Sequence, residues 1–432
     1  MMIGFLFFVS TVLIFHKPRQ NLAYIVFYIF FWEVTFNQSY IESVLGISLG
    51  DMAQALGVTT LTYVIIHTKG ISRRVLIAIS LNLILLFVTF TSMILDATDV
   101  LVPAFNQPLD DLYWGDGNLF PVEFGYGNVL KGIRFLLIIP LLIIFSTKFI
   151  CQNRLVIYFQ RYVGFILAIC IIEFLSKILE FYFIYELLYG IFIPNTLTPN
   201  LFEVRNGLPV IQALTAEPGH LPYVLLVPAI IFARLDGTKA KTLFYVICTL
   251  LLLTGSFRAF GVLIFALLYS RNFSISFKGV ASILFILTVS VIMIINMPFF
   301  AGTVFRIQSV YNSLMGASIQ GDVGSEAIRI FTWQYAISAF ASRPFFGIGL
   351  GSISVLSGLL GLTASIGVFG MLAYFFLLRT VFGVKFVSFF FIGVLALMLF
   401  SWNIDILYSP AVYMIFYSYR LLNSAPTMVN PK

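Results

Sequence analysis

The chain has 432 residues, of which 60% are hydrophobic and 10% charged, against about 25% charged residues in a soluble globular domain. So little polar surface excludes a protein that meets water on all sides, and its mean hydropathy is +1.02. The formal charge of +7 would point to nucleic acid in a soluble protein. Here the basic residues cluster in short turns between apolar runs, so no nucleic-acid partner is expected.

Runs such as Leu83–Leu95, Phe135–Phe145 and Phe285–Ile295 are continuously apolar, as helices crossing a roughly 30 Å hydrocarbon core must be. A β-barrel would instead alternate over segments of about 10 residues. The expected class is an all-α, polytopic membrane protein, because a helix satisfies every backbone group in lipid.

Taken in chain order, spans are predicted near 2–16, 21–36, 50–67, 75–95, 129–147, 155–185, 221–233, 241–254, 259–271, 278–297, 352–378, 386–401 and 404–420. The first lacks the basic start and A-x-A-like cleavage site of a signal peptide, so it reads as a retained span. Segments 221–233 and 259–271 are short for a span, which leaves the expectation at about 12–14 transmembrane helices. The turns between spans carry Lys17 and Arg19; Lys69, Arg73 and Arg74; Lys148 and Arg154; Arg234, Lys239 and Lys241; Arg271 and Lys278; Arg379 and Lys385; their one acid is Asp236. Short Lys/Arg-rich loops mark the cytoplasmic side, which puts the N-terminus outside and the C-terminus inside. Cys151, Cys170 and Cys248 lie in a short turn and two spans, so no structural disulfide is expected. No His/Cys cluster points to a metal.

The expected organisation is a single transmembrane domain over 1–432 with three outer loops, 96–128, 186–221 and 298–351. The first loop is acidic, with Asp110, Asp111, Asp116 and Glu123, and carries Tyr113 and Trp114. The third contains an apolar segment, Ile328–Phe340, expected to fold against the membrane. Glu33, Glu173, Lys177 and Glu180 fall within spans, and the last three are spaced to pair along a helix.

Five arginines fall on the outer side: Arg205, Arg258, Arg306, Arg329 and Arg343, with Lys131 and Arg134 near a span end. The guanidinium is permanently charged and binds phosphate oxygens through a rigid fork. Alternatively these arginines pair with acids such as Glu203, Asp322 and Glu326, or snorkel at the interface. Arg258 stands in a Gly255–Gly261 turn between two short spans, where it can face a crevice between helices. Glu217 and His220 stand in Ala-Glu-Pro-Gly-His-Leu-Pro, residues 216–222. A carboxylate or imidazole there is a candidate general base; Glu217 also suits a helix N-terminus electrostatically, and His220 can serve simply as a hydrogen-bonding group. Gly347-Ile-Gly-Leu-Gly351 lacks the strand and downstream acid of a dinucleotide site. It reads as a loop that re-enters the membrane and packs closely, with backbone N–H groups free for an anion.

Three stretches together resemble the bacterial O-antigen polymerase and O-antigen ligase superfamily. They are Leu-Thr-Gly-Ser-Phe-Arg-Ala-Phe-Gly at 253–261, the segment from Arg329 through Trp333, Arg343 and Pro344 to Gly351, and Arg205-Asn-Gly-Leu followed by Glu217-Pro218. The resemblance covers about residues 205–375; before it, only hydrophobicity matches. It implies a C-type glycosyltransferase (GT-C-like) fold in the bacterial inner membrane, with the active site facing the periplasm. Donor and acceptor would be undecaprenyl-pyrophosphate-linked glycans, polymerised without metal or other cofactor. Glu217 or His220 would act as base, while Arg258, Arg306, Arg329, Arg205 and Arg343 would hold pyrophosphate. Membrane lipid and a chain-length regulator protein are the further partners it would bring. The ligases carry a His after the glycine segment, whereas Ser352–Gly370 has none; this departure favours polymerase over ligase. A flippase or other transporter of lipid-linked glycan is the non-enzymatic alternative.

Overall fold

In the computed structural model, residues 37–48, 104–118, 184–203, 214–219, 271–324, 401–408 and 425–432, with isolated positions elsewhere, lie outside the described residues. The rest form thirteen described helices: α1 (Met2–Phe15), α2 (Leu22–Phe36), α3 (Leu49–Ile66), α4 (Arg73–Leu95), α5 (Tyr126–Ser146), α6 (Gln152–Ile178), α7 (Leu221–Arg234), α8 (Thr238–Leu253), α9 (Phe257–Tyr269), α10 (Ser325–Ser342), α11 (Gly358–Phe382), α12 (Phe389–Phe400) and α13 (Pro410–Ser424). Among them, α3, α4, α5, α6 and α11 are long and apolar enough to cross a membrane, and α1, α2, α7, α9 and α12 are shorter apolar helices. The chain is a mostly helical, polytopic membrane protein. The expected span 278–297 lies outside the described residues.

Among the described residues, four short strands interrupt the helical pattern: β1 (Thr98–Pro103) with β2 (Leu119–Val122), and β3 (Val204–Arg205) with β4 (Leu208–Pro209). Both pairs are antiparallel. They sit in the first and second expected outer loops, where β-branched and aromatic residues flank turn formers.

Contacts divide the chain into two compact units. Unit 1 contains α1, α2, α3, α6, α7, α8, α9 and α13. Helix α7 is its centre: Leu221 through Ala233 are all buried, and α8, α9, α13, α6 and α2 pack around it. Lipid and protein neighbours accommodate an apolar helix equally well, so the central place of α7 is set by its packing against these five helices. Helices α2 and α3 meet where Gly57 faces Ile29; a Cβ at 57 would lie 2.4 Å from Ile29 Cγ1. Helices α2 and α6 pack through Phe27, Phe31, Tyr158 and Tyr162. One end of this unit gathers basic residues. Arg154 Nη1 donates to Gln20 O at 3.2 Å, and the Arg234 guanidinium lies 4.2 Å from the Tyr269 ring centre. The turns holding Lys17, Arg19, Lys239 and Lys241 adjoin the same helix ends.

Helix α6 stops seven residues before the predicted span end at 185. Glu180, with φ 53°, takes the left-handed conformation just past its cap. Phe181 N then donates to Ser176 O at 2.9 Å, the closing bond of a Schellman turn. Glu180 is exposed there, while Glu173 and Lys177 pair as the helical spacing predicted.

Unit 2 holds α4, β1, β2, α5, α10, α11 and α12. Helices α4 and α11 run antiparallel, fastened by Asn82 Nδ2 to Ala373 O at 3.0 Å. Their basic ends, Arg73 and Arg74 on one and Arg379 on the other, coincide. Helix α11 is broken at Gly367, with φ 64° and ψ −172°. The segment Pro344–Gly349 fills the break with backbone groups. Ile348 N and Gly349 N donate to Ala364 O and Ser365 O, both at 2.9 Å; Val368 N and Phe369 N donate to Pro344 O and Phe345 O at 2.8 and 3.1 Å. Carbonyls orphaned at the end of the first half-helix and N–H groups orphaned at the start of the second are thus both satisfied. Thr89 Oγ1 donates to Phe346 O at 3.0 Å. Asn128 Nδ2 donates to Leu350 O at 2.6 Å and Ser352 Oγ at 2.8 Å, pinning the segment to α5. The remaining apolar face is shared: Met93, Val102, Val122, Ala336, Ala339, Ile348, Ile353 and Ala364 form one buried cluster. Residues from the first and third expected loops therefore build a common core with α4 and α11.

Candidate functional site

The site is assembled at the end of unit 1 opposite its basic turns. Two helices begin there, α7 at Leu221 and α9 at Phe257, beside the end of α8 at Leu253. Helix N-termini expose N–H groups and a partial positive charge, so two of them in one place favour an anion. His220 is the N-cap residue of α7, with Pro222 in its first turn. Proline lacks the N–H that a first turn leaves unpaired in any case, and its φ suits a helix start. His220 is half-buried, and its ring centre lies 6.1 Å from that of Tyr223. Their three-residue separation places both on one helix face.

Arg258 sits in the first turn of α9, half-buried, with its guanidinium carbon 5.8 Å from the Tyr223 ring centre. That distance is within cation–π range. Thr254 and Ser256, both buried, line the reversal between α8 and α9. Thr254 Oγ1 donates to Leu251 O at 2.7 Å and accepts from Ser256 N at 3.3 Å, so the turn is fixed by its own hydroxyl. A positive side chain, two helix N-termini and an imidazole thereby surround one aromatic ring.

The described part of the second expected outer loop is anchored to the same end. Arg205 pairs with Leu208 in the β3–β4 ladder, and Ile211 N, three residues later, donates to Leu253 O at 3.3 Å. The backbone carrying Arg205 is thus tied to the turn that leads to Arg258. Of the other candidates, Glu217 and Arg306 lie outside the described residues. Arg329 lies on α10 and Arg343 just past its end, both in unit 2. Arg343 is half-buried, and its carbonyl accepts from Gly347 N at 2.9 Å.

The glycine segment does not serve as an anion cradle through its first three N–H groups. Gly347 N, Ile348 N and Gly349 N are directed to Arg343 O, Ala364 O and Ser365 O. The close-packing part of the reading holds instead: the glycines permit close backbone approach to α11. Tyr223 and Asn128 are the site and scaffold residues that motif reading missed. The i, i+3 spacing from His220 was the available signal for Tyr223; Asn128 had none. Among the described residues no group of His, Cys, Asp and Glu is placed to hold a metal. No protein-family model matches the chain, and no curated protein matches it.

Proposed function

We propose that this chain is a metal-independent glycosyltransferase of C-type architecture in the bacterial inner membrane. It would polymerise undecaprenyl-pyrophosphate-linked oligosaccharide repeats, as in O-antigen or capsule synthesis, at the periplasmic face. The observation that supports this most is the convergence of Arg258, His220 and Tyr223 at two helix N-termini, on the end of unit 1 away from its Lys/Arg turns. The hydroxyl oxygen of a new lipid-linked repeat attacks the anomeric carbon of the growing glycan. The bond from that carbon to the pyrophosphate oxygen breaks, and the acceptor proton passes to His220 or Glu217. Undecaprenyl pyrophosphate leaves with its charge held by Arg258, together with Arg205 from the segment tied to the same turn. Fixed positive charge aimed at a developing anion is a large catalytic term, and the buried Tyr223 ring gives the Arg258 guanidinium a face to lie against.

A second reading, translocation of lipid-linked glycan without chemistry, draws on the break in α11, because discontinuous helices line the substrate sites of many transporters. One experiment separates the two. The protein is purified in lipid nanodiscs and given a synthetic undecaprenyl-pyrophosphate-linked repeat, and products are resolved on a gel. A ladder made by wild type and lost in Arg258→Ala supports polymerisation. Unchanged substrate with the folded wild type defeats it, and a single transfer to added lipid A–core would mean a ligase.

A further inference from the structure

Helix α6 carries a carboxylate and an ammonium one turn apart, Glu173 and Lys177, whose side chains are 0% and 2% exposed. In the apolar interior of a membrane protein such charges persist only where specific partners hold them. Here the partners include more than each other. Lys177 Nζ donates to Glu173 Oε1 at 2.7 Å and to Val210 O at 2.6 Å. The other carboxylate oxygen, Oε2, accepts from Ala213 N at 2.7 Å. The pair therefore grips a non-helical segment at two points, one carbonyl and one N–H. Ala213 lies in the left-handed region, with φ 53°, where a residue bearing a Cβ stays only if its surroundings hold it.

Between the two gripped positions, Ile211 N donates to Leu253 O. Upstream by a few residues is the β3–β4 ladder with Arg205; downstream is His220 at the head of α7. We propose that Glu173 and Lys177 are positioning residues: a buried two-pronged latch that holds the segment carrying Arg205 over the turn carrying Arg258. The functional consequence rests on the reading of that end as the pyrophosphate site; the latch itself does not.

The polarity of the two prongs distinguishes a latch from an ordinary stabilising ion pair. An exchanged pair, Glu173→Lys with Lys177→Glu, restores the i, i+4 attraction. It also sets an ammonium against the Ala213 N–H and a carboxylate against the Val210 carbonyl, donor facing donor and acceptor facing acceptor. Hydrogen–deuterium exchange on the purified protein in nanodiscs reads this directly. In Lys177→Met and in the exchanged pair, exchange in peptides covering 204–213 rises at least tenfold, while peptides within α7 keep wild-type protection. Lys177→Arg, which retains a donor and the charge, stays within threefold of wild type. Wild-type protection of 204–213 in the exchanged pair overturns the latch, as does a uniform loss of protection across α7 in Lys177→Met, which would mean general destabilisation. The double variant Glu173→Leu with Lys177→Met, which removes both prongs and leaves no unpaired buried charge, serves if the other variants do not fold: it too speeds exchange at 204–213, and unchanged exchange there overturns the proposal. In the glycan assay the same variants raise KM for the lipid-linked substrate about tenfold with kcat changed less. A wild-type protein inactive on that substrate would count against the proposed function, leaving the exchange result to decide the latch.

Discussion

Alanine at Gly367 tests the architecture of α11 most sharply. The residue has φ 64° and ψ −172°, a region essentially confined to glycine, at a cost of about 1–3 kcal/mol for other residues. The added Cβ would also lie 2.5 Å from the Phe345 carbonyl carbon and oxygen and 2.6 Å from Gly347 N. Those atoms belong to backbone that is hydrogen-bonded into the break, so the neighbour cannot swing aside as a side chain would. Displacing it loosens the bonds from Val368 and Phe369 to Pro344 and Phe345, at about 0.5–1.5 kcal/mol each. Together the loss is about 2–6 kcal/mol, a large part of a typical stability of about 5–15 kcal/mol. Thermal unfolding in detergent, followed by intrinsic fluorescence, should fall by at least about 4 °C, at roughly 2–4 °C per kcal/mol. Two controls isolate the cause. Gly383 also has positive φ, 69°, but nothing lies within 4 Å of its Cβ position, so Gly383→Ala should cost only about 1–2 kcal/mol. Gly164 in α6 has open space and no positive φ, so Gly164→Ala should be neutral or stabilising by about 0.5–1 kcal/mol. Wild-type melting of Gly367→Ala would refute the broken-helix reasoning.

Gly57→Ala should destabilise by about 1–3 kcal/mol through overpacking against Ile29, and Ile29→Ala in the same chain should recover part of that loss in the same melting assay; additive losses would contradict the α2–α3 contact. Asn128→Leu removes the donor to Leu350 O and Ser352 Oγ, and should cost about 1–3 kcal/mol with faster exchange confined to 344–353; no change at those amides would argue against the pin. Cys151 is exposed at the basic end of α6, whereas Cys170 is buried. A membrane-impermeant maleimide should label Cys151 in inverted vesicles and not from the outside, and the opposite pattern would reverse the assigned topology. Arg258→Lys keeps a charge but not the fork, and should lower polymerisation at least tenfold; wild-type activity would remove Arg258 from the site.

Much of the frame follows from one-dimensional pattern. Where an apolar run meets Lys or Arg, a helix ends or begins, because lipid forbids unpaired backbone and burying charge is costly; hence 2–16 became Met2–Phe15, just before Lys17, and the helix expected from 21 opens at Leu22, just past Arg19. The i, i+4 spacing of Glu173 and Lys177 was equally legible, since it depends only on helix geometry. What grips them was not: Val210 and Ala213 are an ordinary valine and alanine, and their backbone groups carry no side-chain signature. The break in α11 was hidden for a related reason. Residues 352–378 read as one apolar run, and only the segment Pro344–Gly349, brought in from before it, makes a break at Gly367 tolerable by bonding both orphaned ends. The same segment's glycines could be read as an anion site or a packing site until tertiary contacts directed their N–H groups to α11. Likewise, Arg258 was visible as a cation beside a turn, but its approach to Tyr223 and His220 depends on α7 lying at the centre of unit 1, and that is fixed by which apolar faces exclude lipid from one another.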